Sequence, residues 1–275
     1  MRLRAEAEHG LVAVLLTIGA LASLVPFMWM VAFSFGTPLE FLKVPPPIIP
    51  SGFRLDNYRA VFAQVPMLRF LFNSVWVTCV TVVGQLITCS LAAYAFARLR
   101  FPGKNVLFVV LLASLMIPNT VTVVPLFLLM RSLGLVNSDT ALVLPGLVSA
   151  FGVFLLRQFF ERIPRELEDA AKLDGANHLQ IYFRIMLPMA RPALAALAIL
   201  AFNATWNNFL WPLVVINSPD KMTLPLGLTF LQGEAGATST GVLMAAVTMS
   251  VIPSLVVFLL FQRSLVRGIA LSSST

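Results

Sequence analysis

Residues 157–191 hold 11 of the 31 charged side chains in a chain of 275 residues. Pro164 is suited to start a helix there, and Glu166, Glu168 and Asp169 then fall in its first turns, where the helix dipole favours negative charge. Glu168 and Lys172 have the favourable i, i+4 order, and Gly175 is placed to end the helix with a left-handed residue. Leu167, Ala170, Ala171 and Asp174 share one face by helical spacing. The two alanines make that face shallow, so another protein can approach it closely. Composition alone fits a solvated amphipathic loop resting on a membrane equally well. A second helix is expected from Asn177 toward Met186, broken by Pro188.

Catalytic patterns are missing. His9 and His178 are the only histidines, and neither belongs to a His-Glu-x-x-His pair. There is no Gly-x-Ser-x-Gly elbow. Gly103-Lys104 lacks the first glycine of a phosphate-binding loop, and Asn105 follows where Ser or Thr is required. The chain is therefore expected to be no enzyme and to have no nucleotide site, metal site or cofactor of its own. Cys79 and Cys89 lie about 15 Å apart along one predicted helix and cannot pair there.

The elements that must hold this loop are membrane helices. Charged residues make up 11% of the chain and hydrophobic ones 59%, too few charges to cover a soluble globule. Six stretches lack charges almost entirely and place spans at approximately 11–35, 70–97, 105–130, 140–160, 192–216 and 241–262, with the charged loop at 161–191. The expected fold is an all-α membrane protein with residues 1–275 as one domain. The first apolar run is too long for a signal peptide and reads as an uncleaved helix. Pro118 and Pro125 are expected to bend the third span.

With six spans the termini share a side. That side carries 13 of the 19 basic residues, which predicts cytoplasmic termini. The basic excess is a topology signal and needs no nucleic-acid partner. On the other side, Pro45-Pro46-Pro47 reads as stiff and extended, and residues 55–62 as a short interfacial helix. A second outer loop covers about 217–240. No span contains Asp or Glu, which weighs against an ion-coupled secondary transporter or channel and, with the catalytic groups missing, against a membrane-embedded enzyme.

Asp169-Ala170-Ala171, three residues, Gly175, nine residues, Ile185, one residue and Leu187-Pro188 resembles the EAA loop of bacterial ABC importer permeases. Asp169 stands where that family usually has Glu, so the reach is one methylene shorter, and Glu168 could contribute instead. Residues 94–104, 206–213 and 262–268 are similar to the sugar-type subgroup, which includes the smaller permease of the maltose transporter.

The resemblance implies a bacterial inner-membrane complex. It would contain a second, different permease, two ATPase chains that hold ATP and Mg, and an extracytoplasmic solute-binding protein. Residues Leu167, Glu168, Asp169, Ala170, Ala171, Asp174, Gly175 and Ala176 would form a coupling helix and its exit, docked on an ATPase. Arg263, Arg267 and Gly268 would add a C-terminal ATPase contact. Asn203 and Asn207 share a face of the fifth span with Trp206 and Trp211 nearby. Amide plus indole suits hydroxyl hydrogen bonding and sugar stacking on a substrate path, yet Asn in a span equally bonds neighbouring helices. Gln85 and Asn119 carry the same two readings.

Overall fold

The computed structural model describes residues 2–37, 40, 43, 47, 49, 50, 52–233 and 240–270, with side chains described from 12 to 231 within these segments and from 240 to 260. Pro45, Pro46, residues 234–239 of the second outer loop and residues 271–275 lie outside this set. Every regular element among the described residues is helical. That is the expected outcome for apolar segments in lipid, where a helix satisfies its own backbone groups.

The chain divides into two compact units, Met1–Leu68 with Gly227–Ile252, and Arg69–Leu226 with Pro253–Thr275. In the first unit, α1 (Arg2–Ser34) turns large apolar side chains outward along residues 12–31, including Leu16 and Met28. The C-terminal end of α1 is fastened by α2 (Asp56–Gln64), which coincides with the predicted interfacial helix. The Asn57 amide donates to the Ser34 and Gly36 carbonyls at 2.9 Å each. The Ser34 and Tyr58 hydroxyls are 2.7 Å apart.

The second unit is built on α3 (Met67–Arg98), a helix of 32 residues. Of the six predicted spans, only the one on α3 contains no proline. The third span is not one helix. α4 (Lys104–Ser114) and α5 (Asn119–Ser132) meet at 104°. The break falls before Pro118, which is itself extended at φ −60°, ψ 133°. A proline disfavours the helical conformation in the residue before it. Pro125, by contrast, sits inside α5. The fourth span runs through α6 (Asp139–Val143), a 3-10 turn at Leu144–Leu147 and α7 (Ala150–Arg162).

The charged loop follows: α8 (Glu166–Leu173), α9 (His178–Ile181), a π turn (Tyr182–Met186) and α10 (Leu187–Met189). Pro188 does not break this second helix, contrary to expectation. The wider π turn lies directly before it, where the proline ring would crowd a regular turn and supplies no N–H. The bend comes at Ala190, and α11 (Arg191–Trp206) leaves at 76° to the preceding segment.

The expected span at 192–216 also ends early. Asn207 terminates α11 with its amide folded back onto the Asn203 carbonyl at 2.9 Å, a side chain competing for a backbone acceptor. A separate α12 (Leu210–Val215) follows. Short helices α13 (Leu224–Gly227) and α14 (Phe230–Gly233) precede the last long helix, α15 (Thr240–Ala270). Four helical stretches among the described residues are thus long and apolar enough to span, and each bent pair can supply one more.

One core cluster joins the second unit to its loop. It gathers Cys89, Tyr94 and Ala97 of α3, Leu156 and Phe160 of α7, Ile181, Tyr182 and Met186 of the loop, and Leu197 of α11. Gly152 makes this possible. A Cβ there would stand 2.9 Å from Cys89 Sγ and 3.1 Å from a Leu197 methyl.

Candidate docking helix and its anchorage

α7 ends at Arg162, and Ile163 is extended because Pro164 follows it. Arg165, not Pro164, occupies the N-cap of α8, whose first turn carries Glu166, Glu168 and Asp169. At the other end Gly175 adopts φ +83°. Its N–H donates to Lys172 O at 3.0 Å, and the next, Ala176 N–H, to Ala171 O at 2.9 Å. This paired closure satisfies two end carbonyls and requires a left-handed residue, where a Cβ is costly. Asn177 then opens α9 in a reciprocal cap with Gln180, with bonds of 2.9 and 2.8 Å. The loop is a helix–turn–helix element capped on both sides of its turn.

The eight candidate docking residues divide by orientation. Leu167, Asp169, Ala170, Asp174 and Gly175 are exposed. Ala171 and Ala176 are half-buried and pack on the core cluster. Glu168 is a correction: its carboxylate turns inward, so it is not available as an outward contact. Arg98, the last residue of α3, meets it there. Arg98 Nε and Glu168 Oε1 are 2.8 Å apart, with side chains 3% and 6% exposed. Charge holds them, since the contact is not aligned as a hydrogen bond.

Arg98 also donates to the carbonyls of Phe160 and Ile163. Lys172 pairs with Asp169 at 3.4 Å instead of with Glu168 as spacing suggested.

Two participants escape sequence reasoning. Leu173 is 90% exposed at the end of α8. Its signal is the three-residue spacing Leu167, Ala170, Leu173. Arg98 gave a fainter one, a basic residue closing a span opposite an acidic loop. Two further rungs lie behind it on the same face of α3. The Ser90 and Tyr182 hydroxyls are 2.7 Å apart, and Tyr94 Oη lies 3.4 Å from His178 Nδ1.

The candidate substrate path does not assemble as an amide-and-indole wall. Asn207 donates to Asn203 Oδ1 at 2.6 Å, so one exposed amide bonds the other. Trp206 is buried and stacked on Phe202 with ring centroids 5.6 Å apart. Trp211 is buried and donates its indole N–H to Ala141 O at 2.8 Å. Gln85 is half-buried on α3, and Asn119 is exposed in the first turn of α5. Arg263, Arg267 and Gly268 lie in the last turns of α15, and their side chains fall outside the described set. Among the described residues no cluster of His, Cys, Asp and Glu could hold a metal ion.

A second anchorage lies at the start of α3. Asn73 donates to Asp220 O at 2.8 Å and Met222 O at 2.9 Å, and Arg69 to Asp220 O at 3.1 Å. Leu224 N–H donates to Ser74 Oγ at 2.6 Å. Asn137, at φ +60°, accepts at Oδ1 from Asn217 N, Ser218 N and Ser218 Oγ at 2.8–3.1 Å.

Residues 85–271 match the family pattern described as binding-protein-dependent transport system inner membrane component. The arabinooligosaccharides transport system permease protein AraQ of Halalkalibacterium halodurans is 40% identical over 262 residues, covering 93% of this chain and 94% of that one. The lactose transport system permease protein LacG of Rhizobium radiobacter is 36% identical, covering 92% of each. The sn-glycerol-3-phosphate permease protein UgpE of Pectobacterium atrosepticum is 34% identical, covering 93% and 94%. A crystal structure of a bacterial ABC transporter involved in the import of the acidic polysaccharide alginate contains a chain of similar fold. Its TM-score is 0.84 at 29% identity, over 94% of this chain and 97% of that one.

Proposed function

This chain belongs to the family of binding-protein-dependent inner-membrane transport components, and from that premise we propose that it is one permease subunit of an ATP-driven importer for a carbohydrate or related polyol. The observation that carries this reading is α8. It is a short helix closed at both ends and seated on the span core. It presents Leu167, Asp169, Ala170, Leu173 and Asp174 outward, with Leu173 left uncovered among the described residues.

A partner ATPase, holding ATP and Mg, docks on that face. Its closure on nucleotide displaces the loop, and the loop moves the spans. Asp169 supplies the charge at the docking face, and Arg263, Arg267 and Gly268 add a second contact from the end of α15. A second permease, different from this one, completes the pathway, and a solute-binding protein delivers substrate at the face that bears residues 217–240. The basic residues gathered in 157–191 support cytoplasmic termini and a cytoplasmic α8. Residues 1–275 act as one transmembrane domain with six spans. The substrates named for AraQ and LacG favour a sugar.

Uptake by vesicles containing the whole complex tests this. Transport is expected to need internal ATP and the binding protein. Uptake that follows an ion gradient in ATP-free vesicles, from this chain alone, would sink the reading.

A further inference from the structure

We propose that Arg98 and Glu168 are a positioning pair that makes α8 and the end of α3 one rigid body, so that displacement of the docking helix passes into α3 without loss. The inference rests on the permease reading above and adds the residues through which the force enters the membrane.

The geometry is specific. α8 is only 8 residues long and is joined to α7 through the extended Ile163 and Pro164, a connection without helical stiffness. Of its side chains, Glu168 alone is buried. Its partner spans three elements at once. The Arg98 guanidinium meets the Glu168 carboxylate of α8 and accepts no freedom from α7, because it also donates to the carbonyls of Phe160 and Ile163. The planar fork of arginine suits such a junction, where the point charge of lysine would not.

Both side chains are sealed from water. An exposed pair exchanges with solvent and slips, whereas a buried one has no hydrated alternative within reach. The two rungs behind it, Ser90 with Tyr182 and Tyr94 with His178, follow α3 at four-residue intervals and keep α9 and the π turn in the same register. The docking helix is thus fixed to α3 by its only fully buried side chain, and α3 has no proline at which to bend.

The test uses the complete complex with its ATPase and binding protein, carrying spin labels at Arg100→Cys and Glu166→Cys with Cys79 replaced by Ala. Both labelled positions are exposed. The distance between the labels is expected to be the same with and without bound ATP. A change of roughly 5 Å, one helical turn, or more would overturn the rigid-body account. Glu168→Gln is expected to broaden that distance and to lower substrate moved per ATP hydrolysed by about fivefold or more, the scale of a typical coupling free energy. An unchanged ratio in a Glu168→Gln complex that assembles normally would overturn the proposal.

A change in folding alone would lower yield and leave that ratio intact. If Glu168→Gln prevents assembly, the label distance in the unsubstituted pair still decides. Failure of the permease reading is distinct: the complex would then show no ATP-dependent uptake at all.

Discussion

The two ends of α3 are held by opposite means. At its C-terminal end a buried arginine grips a buried carboxylate and two carbonyls. At its N-terminal end Arg69 and Asn73 reach the Asp220 carbonyl at the surface, Asn73 and the buried Ser74 hydroxyl bond the backbone of residues 222 and 224, and the Arg69–Asp220 ion pair is 3.9 Å long and more than half exposed. The difference is one of alternatives. A surface donor released from its carbonyl finds water, so each bond there is worth about 1 kcal/mol net. A buried charge released from its partner finds nothing, and the loss is several times larger.

Substitutions at the two ends should expose this contrast. Arg98→Ala leaves Glu168 buried and unpaired, and should cost about 3–5 kcal/mol of stability, read from denaturation of the purified complex. A loss comparable to that of Arg69→Ala would break the comparison. Asn137→Ala, on the surface-held side, removes three accepted bonds and leaves at φ +60° a residue without the side-chain amide that eases asparagine into that conformation, with an expected cost of about 2 kcal/mol. Asn137→Gly keeps the bond loss but not the strain, and should recover roughly 1 kcal/mol of it.

Gly175→Val forces a branched side chain into the left-handed turn at φ +83° and should cost about 1–2 kcal/mol locally. Uptake should fall at normal expression, because the exit angle of α8 changes. Arg69→Ala should cost under about 1 kcal/mol, and so should Asp169→Ala, whose pair with Lys172 is exposed. Asp169→Ala is expected to act on ATPase association instead, read by co-purification. Unchanged assembly and unchanged coupled hydrolysis would remove Asp169 from the contact.

Local signals in the sequence were enough for α3, expected at 70–97 and observed at Met67–Arg98, and for the αL exit at Gly175. They are properties of hydrophobic run length and of a single backbone dihedral. The breaks at residues 115–118 and 207–209 are subtler, because a proline in a span can be kept, as Pro125 is, or can end the helix, as at Pro118. The inward turn of Glu168 depends on where α3 arrives, which no spacing within α8 encodes. The same holds for Trp206 and Trp211. An indole looks equally suited to a sugar or to a core until Ala141 and Phe202 are seen beside it.

The unbroken course of α3 has a consequence in time. Its 32 residues make a rod of about 48 Å. Every other predicted span carries a proline, a place where a helix can flex and store a displacement before passing it on. α3 offers no such reservoir. A displacement entering at Arg98 would therefore reach Asn73 in the same moment, not as a successive step.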